Sequence, residues 1–458
     1  MTRLRCVQCS RRLETHRCPA GVMGPARSSV RARRRAALVA YLQMAPAAEV
    51  IDACRRCEDP GENEGAESSS PHSSSSFDDV AQDALHRCVT HPIATSHPPT
   101  KAYIARLLKL ATIEAERGGQ TLNDLLVGHL VQQTFLQDGT DDGWCHKTYA
   151  YGELLQGSDT DDDDTDGDVL ANRRTVSFRM HRNLFEGGTG CHEWHAGFYL
   201  AELAATHPKI FDGRTVLELG SGVGLAATVM ARGGTKASSP QQGCRGVPSR
   251  LILTDADADA LVNLTGNLAA NDVSVGEEEK DTIPNDIDGG RTKQNAVHVT
   301  TARLDWEDFH EDTLRAYRTD LIVASDVLYD PLNITPLLNV CGCLLGTDEE
   351  SFGDGDGDNQ NRSQNQNRSH IPGDDESAPA GSWVDDVANN RRAVFVTTLR
   401  QPETLAKFET EATARGFDPK DVTADVFDVI GADGLFERVR GLDRREMRVH
   451  VLRPPRAG

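Results

Sequence analysis

Residues Arg214 to Ala226 read R-T-V-L-E-L-G-S-G-V-G-L-A, and this stretch decides the fold. Thr215 to Leu219 is apolar and β-branched at its start, which suits a parallel strand covered on both faces. Gly220, Gly222 and Gly224 then permit positive φ and let a ligand approach the backbone without meeting a Cβ. Leu225 to Ala231 contains good helix formers, and the free N–H groups of such a helix point back at whatever the loop holds. Strand, tight turn and helix N-terminus together make a nucleotide-sized cradle. A dinucleotide fingerprint needs G-x-G-x-x-G or A, with a pyrophosphate on the helix dipole. Here the spacing is G-x-G-x-G, and Glu218 lies at the strand end. A carboxylate there opposes a pyrophosphate but suits the cationic methionine portion of S-adenosylmethionine, so charge favours that cofactor over NAD. A tight turn with no ligand is the plain alternative.

Outward from this stretch, strands and helices alternate from Arg174 onward, the pattern of an α/β fold whose parallel sheet carries helices on both faces. Strands are predicted at Leu251 to Thr254, Ala296 to Leu304, Asp320 to Ser325, Ala393 to Leu399, Ala424 to Ile430 and Arg445 to Leu452. With Thr215 to Leu219 they make seven, within a domain spanning 174–455. Polar, glycine-rich stretches at 233–249, 276–294 and 346–391 fall between elements, where a fold tolerates insertions, and are expected to be disordered loops.

Upstream, order is expected from about Ala84. Thr100 to Arg117 and Leu122 to Phe135 carry helical apolar spacing, which predicts a small helical N-terminal domain over 84–155. Residues 1–80 are expected to be low-complexity and disordered. They are arginine-rich up to about residue 40, with Glu14 the only acid there, and serine-rich over 61–76. The start resembles a transit peptide in composition but lacks a clean apolar face. The aspartates 161–164 lack the glycine and glutamate placement of a calcium loop and read as a solvated linker.

Composition narrows the function classes. The 458 residues are 38% hydrophobic and carry a formal net charge of -21, which argues against general attraction to nucleic acid or an anionic membrane. No run of about 18 apolar residues occurs, so no transmembrane helix is expected. Eleven scattered cysteines point to free thiols in a reducing, cytoplasmic compartment. Cys6-x-x-Cys9 and Cys54-x-x-Cys57 lie too far apart for an ordinary zinc ribbon, and no metal site is expected.

Four further segments carry chemistry. Asp255 ends a strand beside the glycine loop, where a carboxylate can accept two hydrogen bonds from a ribose diol; the alternative is a helix cap near Ala258, a part Asp257 fills equally well. Asp305 and Trp306 follow the next strand, and an acid with an aromatic face suits the exocyclic amine and ring of adenine, although a tryptophan alone is more often core. Asp326-Val327-Leu328-Tyr329 ends the strand finishing at Ser325, on the carboxyl edge where open α/β sheets bind ligands. Methyl transfer to an amine demands alignment and exclusion of water. There Asp326 could orient the amine and Tyr329 line a channel to it; a capping Asp and a core Tyr are the alternative. Trp194 starts the helix running to Thr206, and its face suits a sulfonium or simply packs in the core. His192 and His195 face no evident carboxylate, so no histidine triad is predicted.

With those residues in place, the chain resembles the seven-β-strand S-adenosylmethionine-dependent methyltransferases with a Rossmann-like sheet, specifically the family that modifies protein lysines (family 16). Glu218 to Gly224 and Asp326 to Tyr329 match its two hallmark motifs. Within it the chain is most similar to the elongation factor 2 lysine methyltransferase group. Thr189-Gly190 with Trp194, Tyr199 to Glu202, Leu304 to Trp306, Ala324 to Tyr329 and Arg400 to Thr404 carry that similarity, as does the proline-rich segment His91 to Tyr103. The chain departs from the group at Cys191-His192-Glu193, where smaller and more apolar residues are usual. The resemblance implies a protein-lysine N-methyltransferase whose protein substrate is elongation factor 2. It implies Trp194, Glu218, Gly220, Gly222, Gly224, Asp255, Asp305, Trp306 and Ser325 as cofactor-binding residues, with Asp326 and Tyr329 catalytic. The alternatives are a related enzyme acting on another lysine or a histidine, and a non-catalytic scaffold that keeps the fold.

Overall fold

In the computed structural model, which describes residues 30–56, 77–135, 142–152, 168–170, 173–233, 246–276, 297–346 and 382–455, the first described elements are six helices. They are α1 (Val30–Leu42), α2 (Ala47–Arg55), α3 (Asp79–Thr90), α4 (Pro92–Ser96), α5 (Lys101–Arg117) and α6 (Asp124–Phe135). Asp78 and Thr100 cap α3 and α5 by accepting from the N–H groups of Ala81 and Tyr103, so each helix starts where its sequence offers a short polar side chain. Tyr41, Ile51, Leu85, Leu107 and Leu108 are fully buried in one shared core.

The helices α1 and α2 correct the expectation that 1–80 is disordered. Ala37 to Leu42 of α1 and Val50, Ile51, Ala53 and Cys54 of α2 are buried, and the Tyr103 hydroxyl donates to the Ala45 carbonyl at 2.7 Å. The reason is local. An apolar run starts at Ala36, directly after Arg31 to Arg35, and a composition averaged over forty residues hides it. The rest of that expectation, at 1–29 and 57–76, lies outside the described residues, as do Cys6, Cys9, Cys57 and the aspartate run 161–164.

The expected helical domain over 84–155 also contains a strand. β1 (Trp144–Tyr151) pairs antiparallel with β2 (Arg174–His181), and this hairpin links the helical unit to the rest of the chain. Two short elements follow, α7 (Leu184–Gly187) and the longer α8 (His195–Thr206).

The remainder is the sheet and its helices. In chain order these are β3 (Thr215–Leu219), α9 (Leu225–Arg232), β4 (Arg250–Asp255), α10 (Ala258–Ala270), β5 (His298–Arg303) and α11 (Glu311–Ala316). Then come β6 (Leu321–Ser325), α12 (Ile334–Leu345), α13 (Trp383–Asn389), β7 (Arg392–Thr398), α14 (Pro402–Ala414), β8 (Asp418–Asp421), α15 (Thr423–Ile430) and β9 (Met447–Arg453). The seven strands lie in the order β5-β4-β3-β6-β7-β9-β8, with β9 antiparallel to both neighbours. Alternate residues feed two cores: Val216, Leu251 and Val323 face the layer of α8 to α10 and α15, while Leu217, Ile252 and Ile322 face that of α11, α12 and α14. The chain runs outward from β3 to β5 and then crosses back to β6. That reversal opens a crevice at the carboxyl ends of β3 and β6.

Two predicted elements differ. Ala424 to Ile430 is the helix α15 rather than a strand, since Val422, Val426 and Ile430 recur at helical spacing and all are buried. The seventh strand is β8, a polar D-P-K-D edge that accommodates a proline only because it lies at the border of the sheet. Within the stretch 346–391, residues 383–389 form α13, anchored by the buried Trp383. No helix among the described residues is long and apolar enough to cross a membrane.

A row of asparagines holds the hairpin to the sheet. Asn263 and Asn267 on α10 and Asn271 at its C-terminal cap stand four residues apart and are buried. Asn271 donates to the Ser177 carbonyl and accepts from the Ser177 N–H, and Asn267 does the same for Arg179. Three side chains thus act as a neighbouring strand and cover an edge that would otherwise stay unpaired. Beside them, Gly224 starts α9 at φ +82°, and a Cβ there would stand 2.4 Å from Leu264 Cδ1. Gly224→Ala is expected to cost about 1–3 kcal/mol through strain and displacement of α10, read as a lower thermal midpoint. An unchanged midpoint would refute that packing role.

Candidate active site

Six chain segments meet at the crevice, around a cavity of about 650 Å³. That volume lies in the range of small-molecule cofactor sites, roughly 300–1,000 Å³. β3, β4 and β6 end directly at the cavity, β5 reaches it through Asp305 and Trp306, and β7 through Arg400.

The glycine loop is braced from below. The Ser221 N–H donates to the Thr254 carbonyl at 2.8 Å, the Thr254 N–H returns to the Ser221 hydroxyl at 3.1 Å, and the Thr254 hydroxyl donates to the Glu218 carbonyl at 2.7 Å. Gly220 and Gly222 line the cavity. A Cβ on Gly222 would stand 3.3 Å from the Gly190 carbonyl oxygen, and one on Gly220 would press within 3.2 Å of Val327. Neither Glu218 nor Gly224 lines the cavity wall. Gly224 is a packing glycine, as described above.

Glu218 is 2% exposed, and its Oε2 finds no hydrogen-bond partner. Burial pushes its carboxyl up to about 8, with the Asp255 charge adding to the effect and the Ser221 hydroxyl opposing it. A buried carboxylate with one oxygen unpaired is a strong local demand for a cation or donor. Such an orphaned acid beneath a glycine loop fits the amino-acid end of S-adenosylmethionine and would repel a pyrophosphate.

Asp255 presents its carboxylate at the end of β4. Its Oδ2 accepts from the Gly222 N–H at 3.2 Å and its Oδ1 from Asp257 N–H at 3.1 Å. Burial raises its pKa, while those backbone donors oppose the rise. Asp257, not Asp255, caps α10, accepting from the Asp259 N–H at 2.8 Å. Asp255 is therefore free of the capping role and faces the cavity. Asp305 and Trp306 line the next portion of wall, with Trp306 also packed against the core beneath α12.

The β6 end supplies Ser325, Asp326, Val327 and Tyr329 to the wall. Asp326 adopts φ +52°, a left-handed conformation that a non-glycine residue holds only when its surroundings enforce it. The enforcement is visible. Its carboxylate accepts from the Thr398 N–H at 2.8 Å, the Thr398 hydroxyl at 3.0 Å, Arg400 Nη2 at 3.1 Å and the Ala196 N–H at 3.4 Å. These four donors fill about the number of lone-pair sites a carboxylate offers. The expectation that Asp326 orients an amine by a direct hydrogen bond thus meets a carboxylate already saturated, which ties β6, β7 and α8 together. Tyr329 is 50% exposed at the mouth, so the wall it forms is a rim rather than a buried channel.

Trp194 lies across the cavity and donates from Nε1 to the Thr189 carbonyl at 3.0 Å. Arg400 stacks over its ring, 5.2 Å from the centroid. Arg400 was visible in the sequence only as the start of R-Q-P-E-T; that it faces the cavity follows from its place one turn beyond the end of β7. The departing residues Cys191, His192 and Glu193 do not line the cavity. Glu193 instead bonds Lys147 and the Tyr149 hydroxyl on β1, which fixes the hairpin to the segment before α8.

The comparisons agree with this geometry. A family model described as lysine methyltransferase matches residues 173–352. The chain is 30% identical to the protein-lysine N-methyltransferase EEF2KMT of Bos taurus over 266 residues, covering 58% of this chain and 68% of that protein. The Homo sapiens EEF2KMT is also 30% identical, over 58% of this chain and 67% of its own length. The protein-lysine N-methyltransferase EFM3 of Chaetomium thermophilum is 24% identical, over 57% and 69% respectively. With the crossed sheet and its acid-lined glycine-loop cavity, these matches establish that the chain belongs to the lysine methyltransferase family and is an enzyme that methylates protein lysine with S-adenosylmethionine.

Proposed function

We propose that the acceptor is a lysine of translation elongation factor 2, methylated in the cytoplasm, and that the catalytic unit spans 174–455. The observation that supports the substrate is the similarity to two relatives carrying the name EEF2KMT, each covered over about two thirds of its length. The His91 to Tyr103 segment outside the catalytic unit supports it as well.

In this reading Asp305 and Trp306 take the adenine, Asp255 the ribose hydroxyls, and the glycine loop with Glu218 the amino-acid end, while Trp194 and Ser325 flank the reacting centre. S-adenosylmethionine supplies an electrophilic methyl carbon: the amine lone pair forms the N–C bond as the C–S pair goes to sulfur, which leaves as a neutral thioether. The chain's own contribution is alignment and exclusion of water. Tyr329 at the mouth and the Asp326 wall define the approach of the amine, which must already have lost a proton to solvent. At pH near 7 only about one lysine in a thousand is neutral, given a reference pKa of about 10.4.

Incubation of the purified chain with methyl-labelled cofactor and purified elongation factor 2 tests the substrate. Label on a single lysine of the factor is expected. Label on other proteins of a cell extract, with none on the factor, would reject it.

A further inference from the structure

The cavity is acidic. Asp255 and Asp257 from the end of β4, Asp305 and Glu307 after β5, and Asp326 after β6 all line it, and Arg400 is its single cation among the described residues. Tyr329 is the remaining titratable group on the wall. His195, at the start of α8, turns to the Arg440 carbonyl at 3.2 Å, and Glu193 is taken up by Lys147, so neither adds charge at this end.

An acidic site attracts a lysine but holds it in the wrong form. A carboxylate within about 4–6 Å of an ammonium favours the charged state, typically by 1–3 pKa units. Transfer needs the neutral amine. Asp326, the acid at the β6 end beside Tyr329, would be the worst offender if its charge stood alone. It does not stand alone. Three of its four donors are neutral and fixed in the backbone or core, and the fourth is the Arg400 guanidinium at 3.1 Å. The Asp326 side chain is 2% exposed while that of Arg400 is 42% exposed, so the pair presents its cation toward the cavity. The Trp194 ring beneath the guanidinium holds it in that position.

We propose that Arg400 is a charge-compensating positioning residue, which cancels the Asp326 carboxylate at the acceptor end so that the incoming lysine amine sheds its proton before transfer. The inference rests on the reading above that the amine approaches past Tyr329 and Asp326. It assigns to Arg400 a function that its hydrogen bond to Asp326 alone does not require, because Thr398 and Ala196 already hold that carboxylate.

The test compares wild type, Arg400→Gln and Arg400→Lys as full chains, with labelled S-adenosylmethionine and purified elongation factor 2 from pH 6.5 to 10. Arg400→Gln leaves Asp326 uncompensated. Its kcat is expected to fall about tenfold at pH 7 and to recover at pH 9 to 10, with the acid limb displaced upward by about one pH unit. Affinity for the factor, measured without turnover, is expected to tighten severalfold at pH 7, because the ammonium form is now held. Arg400→Lys restores the charge and should return both properties toward wild type. Calorimetric affinity for the cofactor should be unchanged throughout. A uniform loss of activity at every pH, with unchanged affinity for the factor, would overturn the inference and reduce Arg400 to structural support. Absence of transfer by wild type at any pH would overturn the underlying reading, and the inference with it.

Discussion

Glu218→Gln is expected to weaken S-adenosylmethionine binding about 100-fold at pH 8, through loss of the carboxylate charge beneath the glycine loop. The same variant should also remove a pH dependence from the stability of the cofactor-free protein. In the folded chain the Glu218 carboxyl is raised from its ordinary 4.5 to about 8 by burial. A raised acid holds its proton longer when folded than when unfolded. Its favourable contribution is therefore complete below about pH 4.5 and is lost as pH rises through about 8. At about 1.4 kcal/mol per pH unit the full loss is roughly 5 kcal/mol. Glutamine has no such proton to lose.

Urea unfolding without cofactor, at pH 5, 7 and 9, should show the variant gaining on wild type as pH rises. A difference that stays flat across this range would mean that burial does not raise the Glu218 carboxyl. Cofactor binding should reverse the sign for wild type, since a cation above the loop takes the ionised form. Below pH 8 binding should then release a proton, which calorimetry in buffers of different ionisation enthalpy measures directly. The absence of proton release would place the amino-acid end of the cofactor elsewhere.

The second large effect is expected at Glu202, far from any motif. Glu202 on α8 is fully buried, and Arg444, just before β9, is 6% exposed. Arg444 donates from Nε to Glu202 Oε2 at 2.7 Å and from Nη2 to Oε1, which also accepts from the Leu435 and Phe436 N–H groups at 2.8 and 3.1 Å. One carboxylate therefore organises the whole segment between α15 and β9. Glu202→Ala would leave a buried guanidinium without its counter-charge, held only by the Ala432 carbonyl at 3.2 Å, and two buried N–H groups without partners, at an expected cost of about 3–5 kcal/mol. Denaturant unfolding measures it.

Replacing both partners together by apolar residues of similar volume should cost much less than the single change, because no charge is then stranded. Equal losses would show that shape rather than pairing holds the segment. Gly434 belongs to the same arrangement: a Cβ there would stand 2.0 Å from Arg444 Nε. The carboxylate at 202 was noticed in the sequence only within Y-L-A-E. Its partner lies 242 residues away, and no local pattern joins the two.

The legible and illegible parts of the fold divide along the same line. β3 with its glycine loop, β4 and β6 with the acids at their ends, and β7 were readable because a buried parallel strand needs a short apolar run and a chain reversal needs glycine or a cap. β8 was not, because an edge strand buries almost nothing and so carries no apolar signature. Ala424 to Ile430 was mistaken for a strand because its apolar residues were read without the spacing of four that joins Val426 and Ile430 to Val422. That same spacing at Asn263, Asn267 and Asn271 was a usable signal for a polar helix face that pairs with backbone.

The sequence by itself determined the class of cofactor and the carboxyl edge at which the cavity opens. Those depend on residues adjacent in the chain: an acid and three glycines in a turn, and single acids at strand ends. Only the tertiary structure decided what each acid does. Glu218 keeps one buried oxygen unpaired, Asp257 takes the cap that frees Asp255, and Asp326 is saturated by Thr398, Ala196 and Arg400. The physical reason is that a carboxylate's chemistry is set by its burial and by the donors brought to it. Those donors arrive from strands and helices whose neighbours are fixed by the order of the sheet, not by the order of the chain.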